Sequence, residues 1–254
     1  MKRIAIVTGA SSGMGMEFVK QIKEEFKNLD EIWVIARRTE RLEKLADELS
    51  TETCEIVCLS IDLTDARQRE RFARALHEEK PYIKVLVNAA GYGKVGSFSE
   101  MSRKDLTGMA ELNCVALTDM THMCLKYMKK GSVIFQFASA AAFLPQPRFA
   151  VYAATKSYVL SLSRALNREC KKKGILVTTI CPGPVNTEFF EIAEKTGTIK
   201  SYKKLVMVEA QRVVAKAISD AKYGKTISVY GFTMKAGRLL AKLVPHELLI
   251  RFFG

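Results

Sequence analysis

The chain has 254 residues, of which 48% are hydrophobic, a size and composition that suit one large α/β domain. It has no uninterrupted apolar run of about 18 residues, so we expect no membrane-spanning helix. The formal net charge is +13, but no basic run is interleaved with aromatic residues. We therefore interpret the charge as a solvated basic surface rather than a nucleic-acid site.

The six cysteines form no CxxC pair, and the chain contains three histidines. This pattern predicts no zinc or other metal site and is typical of a cytoplasmic protein with reduced thiols. The first residues run directly into a strand-like segment, so we also expect no secretory signal.

Seven apolar, strand-like runs alternate with amphipathic helical stretches along the whole chain. The predicted strands are 3–9, 31–37, 54–60, 83–90, 132–139, 175–183 and 226–231. The predicted helices are 16–26, 39–50, 65–79, 105–129, 150–173 and 209–221. Such alternation predicts a Rossmann-like, doubly wound parallel sheet covered by helices on both faces, in a single domain over 1–254.

The first strand ends in a glycine-rich turn, TGASSGMG, and a helix follows it. Glycines at such a turn let backbone N–H groups approach a pyrophosphate, whose charge the helix N-terminus favours. The spacing G-x3-G-x-G differs from the G-x-G-x-x-G fingerprint, so an empty glycine turn is the alternative. The residues that we expect to contact a dinucleotide here are Gly9, Ser11, Ser12, Gly13, Met14 and Gly15.

The end of the second predicted strand bears on which dinucleotide binds. An acid there would accept a hydrogen bond from a ribose 2′-hydroxyl, but the chain has Ala36 followed by Arg37 and Arg38. Two guanidinium groups suit a 2′-phosphate, so we predict NADP(H) rather than NAD(H). Alternatively, both arginines are solvated residues that precede a charged helix.

The next two strands end in residues that suit the same ligand. Asp62 can accept from an adenine amino group beside Leu63, although Asp62 could instead cap the next helix with Thr64. After the fourth strand, small residues leave room for a ribose. This second stretch consists of Asn88, Ala89, Ala90 and Gly91.

Tyr152 and Lys156 stand four residues apart and so share one face of a predicted helix. A phenol can give a proton to a carbonyl oxygen, and a nearby ammonium can lower its pKa towards neutrality. Ser139, at the end of the fifth strand, can hold a carbonyl oxygen or a developing alkoxide. Asn113 is a polar residue within an apolar helical stretch, where a purely structural role is equally consistent with the sequence.

These motifs together resemble the short-chain dehydrogenase/reductase family in its single-domain form. TGASSGMG, NAAG, Asn113, Ser139, YAATK and PGPVNT match it in order and spacing, over the chain up to about residue 230. The resemblance implies that Tyr152 is the acid/base and that Lys156 also binds the nicotinamide ribose. It implies that Asn113 holds a water for proton relay. It further implies nicotinamide contacts from Pro182, Gly183, Val185 and Thr187.

The substrate is expected to meet residues beyond the family motifs. The candidates are Tyr92, Phe143, Leu144, Phe189 and Phe190, with 187–205 as a lid. Their apolar character favours a lipophilic, hydroxysteroid-like ketone or alcohol, although the same aromatic residues would also suit the core. The amphipathic tail 232–254 could contact an anionic membrane, cap the substrate cleft or pack on another subunit.

The sequence leaves several functions open. An NADP(H)-dependent ketoreductase is favoured, and a β-ketoacyl thioester reductase with an acidic carrier protein is the alternative. An enoyl reductase is disfavoured, because position 159, seven residues after the tyrosine, is a valine. A non-catalytic NADPH sensor has no need of all four catalytic side chains. The family resemblance implies a homodimer or homotetramer.

Overall fold

The computed structural model describes residues 1–194 and 207–253, the side chains of 252 and 253 excepted. A seven-stranded parallel sheet in the order β3-β2-β1-β4-β5-β6-β9 forms its centre and confirms the predicted fold class. The strands are β1 (Arg3–Thr8), β2 (Glu31–Ala36), β3 (Glu55–Ser60), β4 (Tyr82–Asn88), β5 (Val133–Phe137), β6 (Leu176–Ile180) and β9 (Ile227–Ser228). A separate parallel pair joins β7 (Val185–Asn186) to β8 (Val208–Glu209).

Helices cover both faces of the sheet. They are α1 (Gly13–Glu25), α2 (Thr39–Leu49), α3 (Ala66–Glu79), α4 (Arg103–Ala110), α5 (Leu117–Leu125), α6 (Ala150–Cys170), α7 (Phe189–Ala193), α8 (Ala210–Lys222), α9 (Phe232–Leu243) and α10 (His246–Phe253). The sheet has a hydrophobic core on each face. Strand β1 contributes to both, because its successive side chains point to opposite faces. Ala5 and Val7 pack with α1, α2 and α8, whereas Ile4 and Ile6 pack with α3 and α5.

The sheet order places a cleft beside the first strand. β1 pairs with β2 on one side and with β4 on the other, so the chain reverses its direction of winding at β1. Ligands of open α/β sheets bind at the carboxyl ends of the strands at such a point. The glycine turn after β1 and the small residues after β4 therefore meet at one edge of the sheet.

The predicted helix 105–129 is not continuous. It consists of α4, a six-residue π-helical segment (Glu111–Ala116) and α5. The wider π turn inserts a residue into the helical repeat and rotates α5 relative to α4, a feature found often at functional sites. Asn113 lies within this segment.

Two further sequence expectations concern the chain as a whole. Among the described residues, none of the helices is long and apolar enough to cross a membrane. The same residues contain no cluster of His, Cys, Asp or Glu side chains that would hold a metal ion. All six cysteines are free thiols, and four of them are buried.

Candidate active site

Tyr152 and Lys156 lie on the first turns of α6, and both side chains are buried. The Tyr152 ring stacks on Phe149 at 4.3 Å between centroids and lies 5.3 Å from the Phe189 ring. A Cβ added at Gly93 would come within 2.7 Å of Tyr152 Cδ2, so the loop after β4 needs a glycine there. The phenol is thus held between an aromatic wall and a closely packed backbone.

Ser139 stands two residues after the end of β5. Its Oγ accepts a hydrogen bond from Ala141 N at 3.1 Å. This contact fixes the hydroxyl at the N-terminus of a short 3₁₀ helix (Ala140–Phe143). A hydrogen bond between Ser139 and Tyr152 lowers the pKa of the phenol, but burial has the larger, opposite effect. Ser139 and Tyr152 line the wall of the same cavity.

The pKa of Tyr152 is raised and does not move towards neutrality, contrary to our expectation. Burial raises it from 10 to about 12, because the phenolate loses its hydration. Lys156 Nζ lies 5.6 Å from the centroid of the tyrosine ring and donates instead to Phe137 O at 2.7 Å. At neutral pH the phenol is protonated, which is the form that a proton donor needs.

Lys156 is itself strongly perturbed. Burial lowers the pKa of its ammonium from 10.5 to about 8, since the charged form is desolvated. The neighbouring thiols of Cys114 and Cys181 oppose this effect only in part. A lysine that is costly to bury, held at a cleft edge, is typical of a functional group rather than of a structural one.

Asn113 is fully buried and ties three segments together. Its Nδ2 donates to Tyr92 O at 2.9 Å and to Thr155 Oγ1 at 3.1 Å, and its Oδ1 accepts from Tyr92 N at 3.1 Å. A Cβ at Gly91 would lie 2.9 Å from Asn113 Oδ1 and 3.4 Å from Lys156 Nζ. Asn113 therefore fixes the loop after β4 against α6, beside the lysine.

The glycine turn fits a dinucleotide pyrophosphate. Gly9 has φ +69°, and a Cβ on Gly15 would lie 2.2 Å from Gly9 O, so side chains are excluded at both positions. Within the described part of the chain, Ser12 makes no side-chain capping bond at the start of α1, which leaves the N-terminal N–H groups open to an anion. Gly13 has φ +54°, and a Cβ added to it would lie 3.2 Å from the methyl group of Thr187.

The two predicted arginines differ in their surroundings. Arg38 donates to Ser11 Oγ through Nε and Nη2 at 3.2 and 3.0 Å, and to Ser12 Oγ at 2.8 Å. Its Nη1 donates to Glu188 Oε2 at 2.8 Å. Arg37 is largely exposed and lies 4.0 Å from Asp62. Arg38 is thus attached to the glycine turn, whereas Arg37 points along the sheet edge towards β3.

Asp62 and Asn88 have local structural partners. Asp62 Oδ1 accepts from Thr64 N at 2.9 Å and from Thr64 Oγ1 at 2.7 Å, which agrees with a turn role, although the N-cap of α3 is Asp65. Asn88 is buried and donates to Thr121 and Gln136. Its side chain therefore faces a buried polar network, not the open cleft where we expected a ribose.

The remaining cofactor candidates lie at the cleft or directly behind it. Leu63 and Ala90 pack in the core on the α3 and α5 side of the sheet. Thr187 Oγ1 donates to Val185 O at 3.4 Å, and Pro182 O accepts from Ala140 N at 2.8 Å. The predicted residues that line the cavity beside Tyr152 are Met14, Ala89, Gly91, Pro182, Gly183, Val185 and Thr187.

A cavity of about 670 Å³ opens beside Ser139, Tyr152 and Lys156. Its walls are mainly apolar. Of the predicted substrate residues, Phe143, Leu144, Phe189 and Phe190 line it. Of the predicted lid, residues 195–205 lie outside the described residues.

Tyr92 is not part of the cavity wall, so its prediction as a substrate residue is not supported. Its ring packs against the buried cluster that contains Met109 and Tyr152, and a Cβ at Gly108 would lie 2.4 Å from its hydroxyl oxygen. The π-helical segment brings Asn113 to the Tyr92 backbone, which turns the tyrosine side chain towards α4. Sequence position after Gly91 gave no signal of this direction.

Part of the wall comes from residues that the sequence did not single out. Phe149 stacks on Tyr152, and the C-terminal helices cover the cavity opposite it. A Cβ at Gly183 would lie 2.6 Å from Met234 Sδ, and the Arg238 guanidinium lies 5.8 Å from the Phe143 ring. Of the three roles considered for the tail, the structure thus supports capping of the cleft. The tail residues that line the cavity are Met234, Gly237, Arg238, Leu240, Ala241 and Leu249.

Comparison with protein families agrees with this geometry. Residues 3–197 match the family described as short chain dehydrogenase. The serine 3-dehydrogenase of Agrobacterium fabrum is 32% identical over 192 residues, which cover 74% of this chain and 74% of that protein.

Two solved structures share the fold. A short-chain dehydrogenase from Sphingobium yanoikuyae in complex with NADPH has a TM-score of 0.79 and 24% identity, covering 96% of this chain and 97% of that chain. A short-chain dehydrogenase/reductase from Burkholderia phymatum in complex with NAD has a TM-score of 0.81 and 19% identity, covering 100% and 96%. The two complexes contain different nicotinamide cofactors.

Proposed function

The chain belongs to the short-chain dehydrogenase/reductase family, and from this premise we propose that it is an NADP(H)-dependent oxidoreductase that interconverts a ketone and a secondary alcohol. The observation that carries the proposal is a buried, protonated Tyr152 that lines a large apolar cavity together with Ser139 and Lys156. Family membership supports a nicotinamide cofactor, and NADP over NAD is our own inference.

The four candidate catalytic residues have separate roles in the proposed ketone reduction. A bound nicotinamide supplies the hydride to the carbonyl carbon. Ser139 donates a hydrogen bond to the carbonyl oxygen, and Tyr152 gives its proton to that oxygen. Lys156, which donates to Phe137 O at 2.7 Å and lines the same cavity, would hold the nicotinamide ribose. Asn113 holds the backbone of Tyr92, next to Gly91, through its amide oxygen and nitrogen.

Arg38 is the main support for the NADP(H) preference. Its guanidinium is fixed by the hydroxyls of Ser11 and Ser12, at the end of β2 and against the glycine turn. A planar guanidinium that is already oriented loses little entropy when it binds a phosphate. The residues at the end of β2 itself are not acidic, since Ala36 is followed by two arginines.

The apolar lining of the cavity supports a lipophilic, hydroxysteroid-like substrate. Phe143, Phe189 and Leu240 contribute apolar surface. The cofactor candidates Gly91 and Thr187 line the same cavity, so the cofactor and the substrate would share this space. A β-ketoacyl thioester is the second candidate, because the net charge of +13 favours an acidic carrier protein. A non-catalytic NADPH sensor would not need Ser139, Tyr152, Lys156 and Asn113 together.

A substrate panel tests this proposal. Loss of absorbance from NADPH, and separately from NADH, is followed with keto-steroids, β-ketoacyl thioesters and small ketones. We expect turnover with keto-steroids and NADPH. Preferred turnover of thioesters would favour the second candidate. Tight NADPH binding without turnover of any ketone would favour the sensor and contradict the proposal.

The outward face of α9 supports a further proposal, peripheral contact with an anionic lipid surface. Phe232, Leu239 and Leu243 are exposed on one side of the helix, and Lys235 and Lys242 are exposed beside them. Basic residues beside an apolar stripe are typical of helices that lie on anionic membranes. We place the protein in the cytoplasm, where such contact would be reversible.

Co-sedimentation with vesicles tests the lipid proposal against a subunit interface. We expect binding to vesicles that contain phosphatidylglycerol but not to pure phosphatidylcholine, and loss of binding in the Leu239→Gln/Leu243→Gln variant. Sedimentation velocity measures the homo-oligomer that we expect of this family. If the double variant dissociates that oligomer and vesicle binding is absent, the face is a subunit interface and the lipid proposal is wrong.

A further inference from the structure

Arg38, which we expect at the 2′-phosphate position, and the nearby Arg41 are already paired with a carboxylate. Glu188 accepts from Arg38 Nη1 at 2.8 Å and from Arg41 Nη1 through its other oxygen. Arg38 and Arg41 lie at the start of the second helix, whereas Glu188 follows β7, about 150 positions along the chain. The contact is therefore a tertiary one between the cofactor edge and the segment that leads to the substrate wall.

Glu188 stays ionised in this arrangement. Hydrogen bonds from Arg41 and then Arg38 lower the pKa of its carboxyl group to about 2, and burial opposes them weakly. A third of its side chain remains exposed, so the pairs are screened by solvent and of modest strength. A ligand with more charge and more acceptor oxygens can replace such a carboxylate.

We propose that Glu188 is an internal competitor for the cofactor's 2′-phosphate, which must displace it from Arg38 and Arg41. This inference rests on the proposed NADP(H) dependence. A phosphate and the carboxylate are both anionic acceptors for the same guanidinium groups, and side by side they repel each other. A cofactor with a free ribose 2′-hydroxyl brings no such charge and leaves the ion pairs in place.

The residues on either side of Glu188 connect its displacement to the substrate cavity. The next residue, Phe189, begins α7, lines the cavity and lies 5.3 Å from the Tyr152 ring. The preceding residue, Thr187, packs its methyl group against the glycine turn. The segment 187–189 therefore connects the phosphate end of the cofactor site with the aromatic wall beside the catalytic phenol.

Two nucleotide fragments isolate the effect of the 2′-phosphate. Dissociation constants for 2′,5′-ADP and 5′-AMP, measured by calorimetry, are compared in the full chain and in Glu188→Gln, which keeps the shape and removes the charge. NADPH and NADH are measured in the same way. Glu191→Gln, an exposed acid three residues further on, is the matched control. Thermal unfolding verifies that the variants are folded.

In Glu188→Gln, 2′,5′-ADP and NADPH should bind about three- to tenfold more tightly, as expected for loss of two solvent-screened ion pairs. Binding of 5′-AMP and NADH should stay unchanged, and Glu191→Gln should behave like the unmodified chain. Unchanged or weaker binding of 2′,5′-ADP in Glu188→Gln would overturn the competitor role. Weaker NADH binding would also overturn it, because Glu188 would then be a ribose ligand.

Different binding results would contradict the NADP(H) preference and the competitor role of Glu188. If the unmodified chain and Glu188→Gln both bind 2′,5′-ADP no better than 5′-AMP, the NADP(H) preference is wrong, and the competitor role is wrong with it. If the unmodified chain prefers 2′,5′-ADP but Glu188→Gln does not change that preference, only the competitor role is wrong.

Discussion

Replacing Lys156 by methionine should stabilise the protein at neutral pH, because the ammonium is buried at a cost. Its pKa falls from 10.5 to about 8 on folding. At about 1.4 kcal/mol per pKa unit, burial of the charged form costs about 3 kcal/mol. Loss of the hydrogen bond to Phe137 O offsets about 1 kcal/mol of this. We therefore expect Lys156→Met to be more stable by about 2 kcal/mol at pH 7.

The pH dependence of the stability difference between Lys156→Met and the unmodified protein tests this reasoning more directly than the difference at pH 7. Below the folded pKa of about 8, both states of Lys156 are protonated and the cost is fully present. Between pH 8 and 10.5 the unfolded chain binds a proton that the folded chain does not, so stability of the unmodified protein rises with pH. The advantage of the variant should therefore shrink across this window.

Urea unfolding followed by circular dichroism, at several pH values on both sides of pH 8, measures the difference. The thiols other than Cys114 and Cys181 titrate alike in both proteins, since, of the six described cysteines, only these two interact with Lys156. Lys171→Met, which replaces an exposed lysine after the same helix, is the control variant. A Lys156→Met variant that is less stable by a constant amount at every pH would refute the reasoning.

Three further predictions concern the cofactor and the proton. Gly15→Ala, whose Cβ would lie 2.2 Å from Gly9 O, should weaken NADPH binding about tenfold or more by nicotinamide fluorescence, whereas Gly237→Ala, with no atom within 4 Å, should bind normally. Arg38→Gln should weaken NADPH binding about tenfold or more and leave NADH unchanged; equal losses would contradict a phosphate role. Because the pKa of Tyr152 is about 12, alcohol oxidation, which needs the phenolate, should accelerate with rising pH, whereas a pH-independent oxidation rate would contradict this role.

Much of the fold could be predicted from local sequence patterns. Strands buried on both faces read as continuous apolar runs, and the helices between them show a polar face, so the order of elements was apparent. The break at Glu111–Ala116 was not, since a π-helical segment depends on packing around Asn113 rather than on a local signal. The last strand, Ile227–Ser228, is shorter than the predicted 226–231.

Site residues that lie on one helix or turn could be predicted from the sequence. Contacts between distant segments could not. The spacing of Tyr152 and Lys156 follows from one helix. The choice between Arg37 and Arg38 does not, because it depends on the hydroxyls of Ser11 and Ser12. The pairing with Glu188 is set by tertiary contacts across the chain, which no local pattern reports.

The most direct test of the account is the ketone reductase activity of Tyr152→Phe compared with that of Tyr158→Phe. Both tyrosines lie on α6, but Tyr158 is partly exposed and its hydroxyl bonds Thr118 at 2.8 Å. We expect Tyr152→Phe to bind NADPH normally and to lose turnover by about two to four orders of magnitude, with Tyr158→Phe unchanged. Equal turnover in Tyr152→Phe and the unmodified protein would contradict the assignment of the proton donor.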